Sequence, residues 1–175
     1  MKAAIITIGD ELLIGQTLDT NSAWMGAELS KSGFDIFRIT SVHDRKYDII
    51  YALNEAAKEA DVVLVTGGLG PTSDDITKHA LAEYFSTRLV MNSEVLQMIE
   101  EMMSRRNFAM NDNNRRQAEV PESCKVLINR AGTAPGMWFE KDGTIFVSMP
   151  GVPNEMKHIM NEHVLPELNK RFTSQ

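Results

Sequence analysis

Two short stretches of this 175-residue sequence combine glycine with carboxylate in a way that suits phosphate chemistry. One is Gly9-Asp10-Glu11; the other is Gly67-Gly68-Leu69-Gly70-Pro71-Thr72-Ser73-Asp74-Asp75. Glycine lets the main chain approach a ligand closely and turn its N–H groups inward, and a helix starting near Asp74 would add positive dipole for an anion. Carboxylates do not bind phosphate directly. Asp10, Glu11, Asp74 and Asp75 beside such loops therefore imply a bridging hard cation, and Mg²⁺ has the matching preference for oxygen. The competing reading is local: Asp74 and Asp75 cap a helix whose dipole favours acids, and Gly9 ends a strand. The second stretch is neither a Walker loop, which needs Lys-Ser or Lys-Thr at a set spacing, nor a Gly-x-Gly-x-x-Gly dinucleotide turn.

The elements that must position these stretches follow from hydrophobic spacing. Lys2 to Gly9 reads as a β-branched strand buried on both faces. Asn21 to Ser32 reads as a helix, with Thr20 or Asn21 as cap and Gly33 as stop. Phe34 to Val42 alternates like a strand nearer an edge. Asp44 is placed to cap a helix from about Tyr47 to Glu59, and Asp61 to Thr66 forms a third strand. The order β-α-β-α-β places the third strand beside the first, on the side away from the second, with a ligand crevice where the connections diverge. Both glycine-and-acid stretches end at that crevice.

Beyond it the pattern predicts helices at about Asp74 to Phe85 and Ser93 to Arg106, the latter with a Val95, Ile99, Met102 stripe. A short polar helix at Asp112 to Glu119 and a strand at Lys125 to Asn129 follow. Met137 to Glu140 and Thr144 to Ser148 form a hairpin, and a last helix runs from Asn154 to Arg171, which Pro166 must kink or break. The expectation is one domain, 1–172, with a polar tail at 173–175.

Composition narrows the function classes. Eighteen Lys and Arg against 24 Asp and Glu give a formal charge of −6, which works against broad contact with a nucleic-acid backbone. The single cysteine, Cys124, excludes an intrachain disulfide and a cysteine-based zinc cluster, and fits a cytoplasmic setting. No apolar run approaches the ~18 residues of a membrane span, and the start lacks the h-region of a secretory signal. Pro150-Gly151-Val152-Pro153 reads as a strand-to-helix turn that also walls the crevice, with Gly151 the contact. Gly132-Thr133-Ala134-Pro135-Gly136 is either a tight connection or a loop that approaches a nucleotide or a partner subunit. Arg105, Arg106, Arg115 and Arg116 read as a solvated helix surface.

The motifs also resemble a known family. Gly67-Gly68-Leu69-Gly70 followed by Asp75-Ile76-Thr77 resembles the GGxGxxxxDxT signature of molybdopterin-binding, MoaB/MogA-like domains. GDELLIGQTLDTN (9–21), VTGGLGPTSDD (65–75), NRAGTAPGM (129–137) and MPGVPNEM (149–156) are together similar to the N-terminal domain of competence/damage-inducible CinA proteins. The resemblance implies a three-layer α/β/α sandwich with a mostly parallel sheet and a small β-hairpin, in a homo-oligomer. It also implies metal-dependent hydrolysis of ADP-ribose to AMP and ribose 5-phosphate. Asp10 and Asp75 would be catalytic, and Asp10, Glu11, Asp74 and Asp75 would hold the metal. Gly67, Gly68, Gly70, Thr72, Ser73, Lys78 and Gly151 would bind substrate. The alternative is a non-catalytic nucleotide- or molybdopterin-binding module of a larger protein. Leu69 departs from the threonine that the pterin branch carries there, and nothing corresponds to the C-terminal amidase domain of CinA proteins.

Overall fold

The computed structural model describes residues 1–69 and 76–172. In chain order the elements are β1 (Lys2–Ile8), α1 (Asp10–Leu13), α2 (Thr20–Lys31), β2 (Asp35–Val42), α3 (Lys46–Ala57) and β3 (Val62–Thr66). Then come α4 (Ile76–Tyr84), β4 (Leu89–Met91), α5 (Ser93–Arg105), α6 (Asp112–Arg116), β5 (Glu119–Pro121) and β6 (Lys125–Leu127). The hairpin β7 (Gly136–Lys141) and β8 (Thr144–Met149) precedes α7 (Pro153–Ile159), a π-helical turn (Met160–Val164) and α8 (Leu165–Phe172).

The main sheet has the order β2-β1-β3-β8-β7-β6. β2, β1, β3 and β8 run parallel, and the antiparallel β7 joins them to β6. β3 thus lies beside β1 opposite β2, as the β-α-β-α-β order requires. Alternation along β1 distributes its residues between two cores: Ala4, Ile6 and Ile8 meet α3 and α4, whereas Ala3 and Ile5 meet α2, α7 and α8. The result is the expected three-layer α/β/α sandwich.

Several local expectations are corrected. α2 is capped by Asp19, whose carboxylate accepts from the Ser22 N–H at 3.0 Å, not by Thr20 or Asn21. Arg45, not Asp44, occupies the cap position of α3, and its side chain makes no capping bond. On α5 the inward methionine is Met103 rather than Met102, giving a small third core with Val95, Ile99 and Ala118. The polar helix expected to reach Glu119 stops at Arg116, because Gln117 and Ala118 turn inward and Glu119 opens β5, which pairs with β4. Pro166 lacks an N–H, and its ring would meet the carbonyl four residues back. The helix widens into the π-helical turn just before it and continues to Phe172 instead of breaking.

An aromatic cluster ties α4 to the hairpin. Phe85 stacks on Phe139 with centroids 4.0 Å apart, and Tyr84 and Phe85 meet Phe146 edge-on at 5.6 and 5.2 Å. Phe146 is fully buried, so Phe146→Ala should cost about 3–5 kcal/mol, read as a lower denaturant midpoint at unchanged slope.

Candidate functional site

The C-terminal ends of β1, β3 and β8 lie side by side because the three strands are parallel and in register, with Thr7 opposite Thr66 and Thr66 opposite Met149. The ladder runs on past the strands: the Gly67 N–H donates to the Met149 carbonyl at 3.1 Å. Here the chain enters three turns at once, and they enclose a cavity of about 330 Å³. Its walls include Thr7, Glu11, Asn21, Thr66, Gly67, Gly68, Leu69 and Gly151.

Backbone crowding explains the glycine pair. Gly67 has φ +109°, and a Cβ there would collide with the Ile8 carbonyl oxygen. Gly68 has φ +66°, and its Cβ would collide with Thr77 Oγ1. Any other residue would be strained at either position and would push the turn off the strand ends. Gly151 faces Gly67 from the other side, where a Cβ would stand 3.3 Å from the Gly67 Cα.

Asn21 joins the walls. The Thr66 hydroxyl donates to the Pro150 carbonyl at 2.9 Å, so its oxygen is left to accept, and it does so from Asn21 Nδ2 at 3.3 Å. The same Nδ2 donates to the Gly151 carbonyl at 2.8 Å. That pattern fixes the amide orientation and leaves Asn21 Oδ1 buried with no partner. Thr7 Oγ1 is paired with Ser41 Oγ at 2.7 Å.

The expected site residues separate into groups. Gly67, Gly68, Gly151 and Glu11 meet on the cavity wall. Asp10 lies outside it: its carboxylate accepts from His43 Nδ1 at 2.7 Å, and that bond, helped by the Asp44 backbone N–H, holds the acid below its ordinary pKa. Lys78 is buried, and its ammonium donates to the carbonyls of Arg116 and Glu119 at 2.8 and 3.0 Å, tying the segment between α6 and β5 to α4. It lines a separate narrow cleft, not the cavity. Gly70, Thr72, Ser73, Asp74 and Asp75 lie outside the described residues, and the helix expected from Asp74 is described from Ile76. Among the described residues, no three His, Cys, Asp or Glu side chains converge as a metal centre would require.

The other small-residue loop is a tight connection. Asn129, fully buried, accepts from the N–H groups of Ala131 and Gly132 at 2.9 and 3.2 Å and donates to the Ala134 carbonyl at 2.8 Å. Its amide also donates to Glu155 Oε2 at 2.7 Å, so two of the sequence motifs are bonded to each other. Arg105 and Arg106 border a groove of about 580 Å³ along α5, and Arg115 pairs with Glu100 at 3.9 Å. Burial pushes the Cys124 thiol up to about 12, which leaves it inert as a nucleophile at neutral pH.

Residues 4–170 match the family described as "Probable molybdopterin binding domain". The CinA protein of unknown function from Thermoplasma acidophilum superposes with a TM-score of 0.85 at 32% identity, covering 96% of this chain and 97% of that one. The chain belongs to the molybdopterin-binding domain family, on its CinA branch. A CinA-like protein of Cytophaga hutchinsonii is 50% identical over 170 residues, which are 97% of this chain and 41% of that protein. Another from Flavobacterium psychrophilum is 46% identical over 176 residues, 98% and 41% of the two chains. This CinA-type chain therefore spans about 41% of the length of these relatives. The molybdopterin biosynthesis enzyme MoaB of Thermus thermophilus shares the fold, with a TM-score of 0.63 at 20% identity. No helix among the described residues is long and apolar enough to cross a membrane.

Residues that sequence reasoning missed share one property, in that their partners are distant in the chain. Asn21 meets Gly151, and His43 meets Asp10. The only signal for Asn21 was its place at the end of the 9–21 motif.

Glu155 supplies a pH test of the packing beneath these loops. Desolvation raises its pKa, outweighing the Asn129 hydrogen bond and the Arg106 charge. A carboxyl whose folded pKa is raised binds more protons folded than unfolded, so the cost of ionising it appears as pH rises through the ordinary glutamate range and is relieved in acid. Glu155→Gln keeps an acceptor for Asn129. Its Tm should exceed that of the unsubstituted chain at pH 7, with the gap closing toward pH 4 in thermal scans across that range.

Proposed function

We propose that this CinA-type domain is the small-molecule-binding unit of a larger protein, holding a phosphorylated nucleotide or pterin at the C-terminal edge of its sheet. The observation that carries this reading is the cavity itself. It lies at the point where the connections from β1 and β3 diverge to opposite faces, its volume of about 330 Å³ is that of a small-molecule pocket, and two glycines bring bare backbone to its wall. The match to the molybdopterin-binding domain family supports a ligand of this class.

Hydrolysis of the ADP-ribose diphosphate is the second reading, favoured by Glu11 on the cavity wall next to Asp10. The donor chemistry suits a hard divalent cation such as Mg²⁺, since Glu11 and Asp10 offer carboxylate oxygens and His43 keeps Asp10 ionised. Glu11 would hold it from the cavity wall, with Asp10, once released from His43, and with Asp74 and Asp75, which lie outside the described residues, as further donors. When bound, the metal would neutralise charge on the diphosphate. The protein's own part would be to orient: backbone at Gly67 and Gly68 would face the phosphates, Asn21 holds the Gly151 wall in place, and a carboxylate of this set would accept a proton from water. A homo-oligomer and an amidase domain in the same polypeptide belong to this proposal as well.

Calorimetric titration with AMP and with ADP-ribose tests binding, and AMP release from ADP-ribose with Mg²⁺ or with chelator tests hydrolysis. Binding should be measurable and should fall by about tenfold or more in Gly68→Ala, whose Cβ would displace the turn. Binding without AMP release establishes the binding module; chelator-sensitive AMP release establishes the hydrolase. A folded chain that binds neither nucleotide nor pterin would overturn the reading.

A further inference from the structure

Behind the glycine turn lies a second, narrower space lined by Leu69, Lys78, Gln117, Ala134, Pro135 and Met137. Leu69 lines both this cleft and the 330 Å³ cavity, and so forms the partition between them. Gln117 is 3% exposed, yet neither its Nε2 nor its Oε1 has a hydrogen-bond partner. The cleft has no room for a water molecule, so solvent cannot satisfy the amide where it stands. Two more buried hydroxyls without partners sit at the same end of the sheet. Thr77 Oγ1 is fully buried against Gly68, and Ser148 Oγ belongs to the register partner of Met137.

This arrangement is built, not accidental in its placement. The Lys78 ammonium bonds to carbonyls on both sides of Gln117, at Arg116 and Glu119, and so fixes the backbone that presents the amide. At the opposite end of the sheet the buried Thr144 hydroxyl is paired, donating to the Ala60 carbonyl.

We propose that Gln117 is a specificity-determining residue of the ligand site, reading the amide-like edge of a flat heterocycle once Leu69 swings aside. This rests on the small-molecule-binding reading above and deepens it. A carboxamide offers one donor and one acceptor side by side, the complement of adjacent acceptor and donor atoms on a ring edge. Purines and pterins both carry such an edge on a flat ring, which ribose and inorganic phosphate lack. The phosphorylated end of the ligand would lie on the Gly67 and Gly68 side of Leu69, and its ring on the Gln117 side.

Gln117→Met removes donor and acceptor at nearly constant length. Titration of the unsubstituted chain and this variant with AMP, with free pterin and with ribose 5-phosphate separates ring recognition from phosphate recognition. The expected result is a loss of about tenfold or more in affinity for whichever of AMP and pterin the unsubstituted chain binds, and unchanged affinity for ribose 5-phosphate. A drop shown for AMP identifies a purine site, and one for pterin identifies a pterin site. The Tm of the variant should equal or exceed that of the unsubstituted chain, because an unpartnered buried amide has been replaced by an apolar group. If the unsubstituted chain binds AMP or pterin and the variant binds it equally, the role of Gln117 is overturned while the binding reading stands. A lowered Tm with equal losses for all ligands would show a structural role and overturn it too. If the folded, unsubstituted chain binds none of the three, both fall together.

Discussion

The joint at Thr66 is the interaction on which the site depends. One hydroxyl donates to Pro150 and accepts from Asn21, and the same asparagine reaches the Gly151 carbonyl. Three segments far apart in sequence, the start of α2, the end of β3 and the turn after β8, are thereby held around one cavity. Each of these bonds is worth only about 1 kcal/mol net, but losing one would strand its buried partners at a cost of roughly 1–3 kcal/mol. The joint works because parallel pairing has already brought the strand ends together, so little further chain entropy must be spent to form it.

Polar economy differs between this edge and the rest of the molecule. Thr144, at the opposite end of β8, donates to the Ala60 carbonyl. At the ligand edge, Asn21, Thr77, Gln117 and Ser148 each carry at least one buried polar atom without a partner. The backbone there is also strained toward conformations that only glycine adopts readily, at Gly67 and Gly68. The unpaired atoms thus gather at the edge proposed to hold a ligand, and two complete hydrophobic cores on the sheet faces supply the stability.

The acids illustrate how far a motif can be read. Asp10 and Glu11 are neighbours in sequence with the same functional group, but the short helix α1 turns them apart. Glu11 reaches the cavity wall, whereas Asp10 is drawn to His43 at the end of β2. Lys78, read from the sequence as a phosphate contact, donates to the carbonyls on both sides of Gln117 and so braces that segment. In both cases side-chain type is a property of the sequence, and what the side chain bonds to is a property of elements tens of residues away.

Hydrophobic period and strand order were legible from the sequence alone, because burial on one or both faces imposes a repeat of two or of about 3.6 residues. That suffices for β1 to β3, the helices between them, the hairpin and the position of the crevice. The glycine turn was legible as well, since few residues other than glycine tolerate positive φ pressed against backbone. The cap of α2, the β4 and β5 pair, the π-helical turn before Pro166 and the inward turn of Gln117 were decided by tertiary structure. Each depends on a partner supplied by a remote segment, and a hydrogen bond or steric contact across such a separation leaves no periodic trace in the chain.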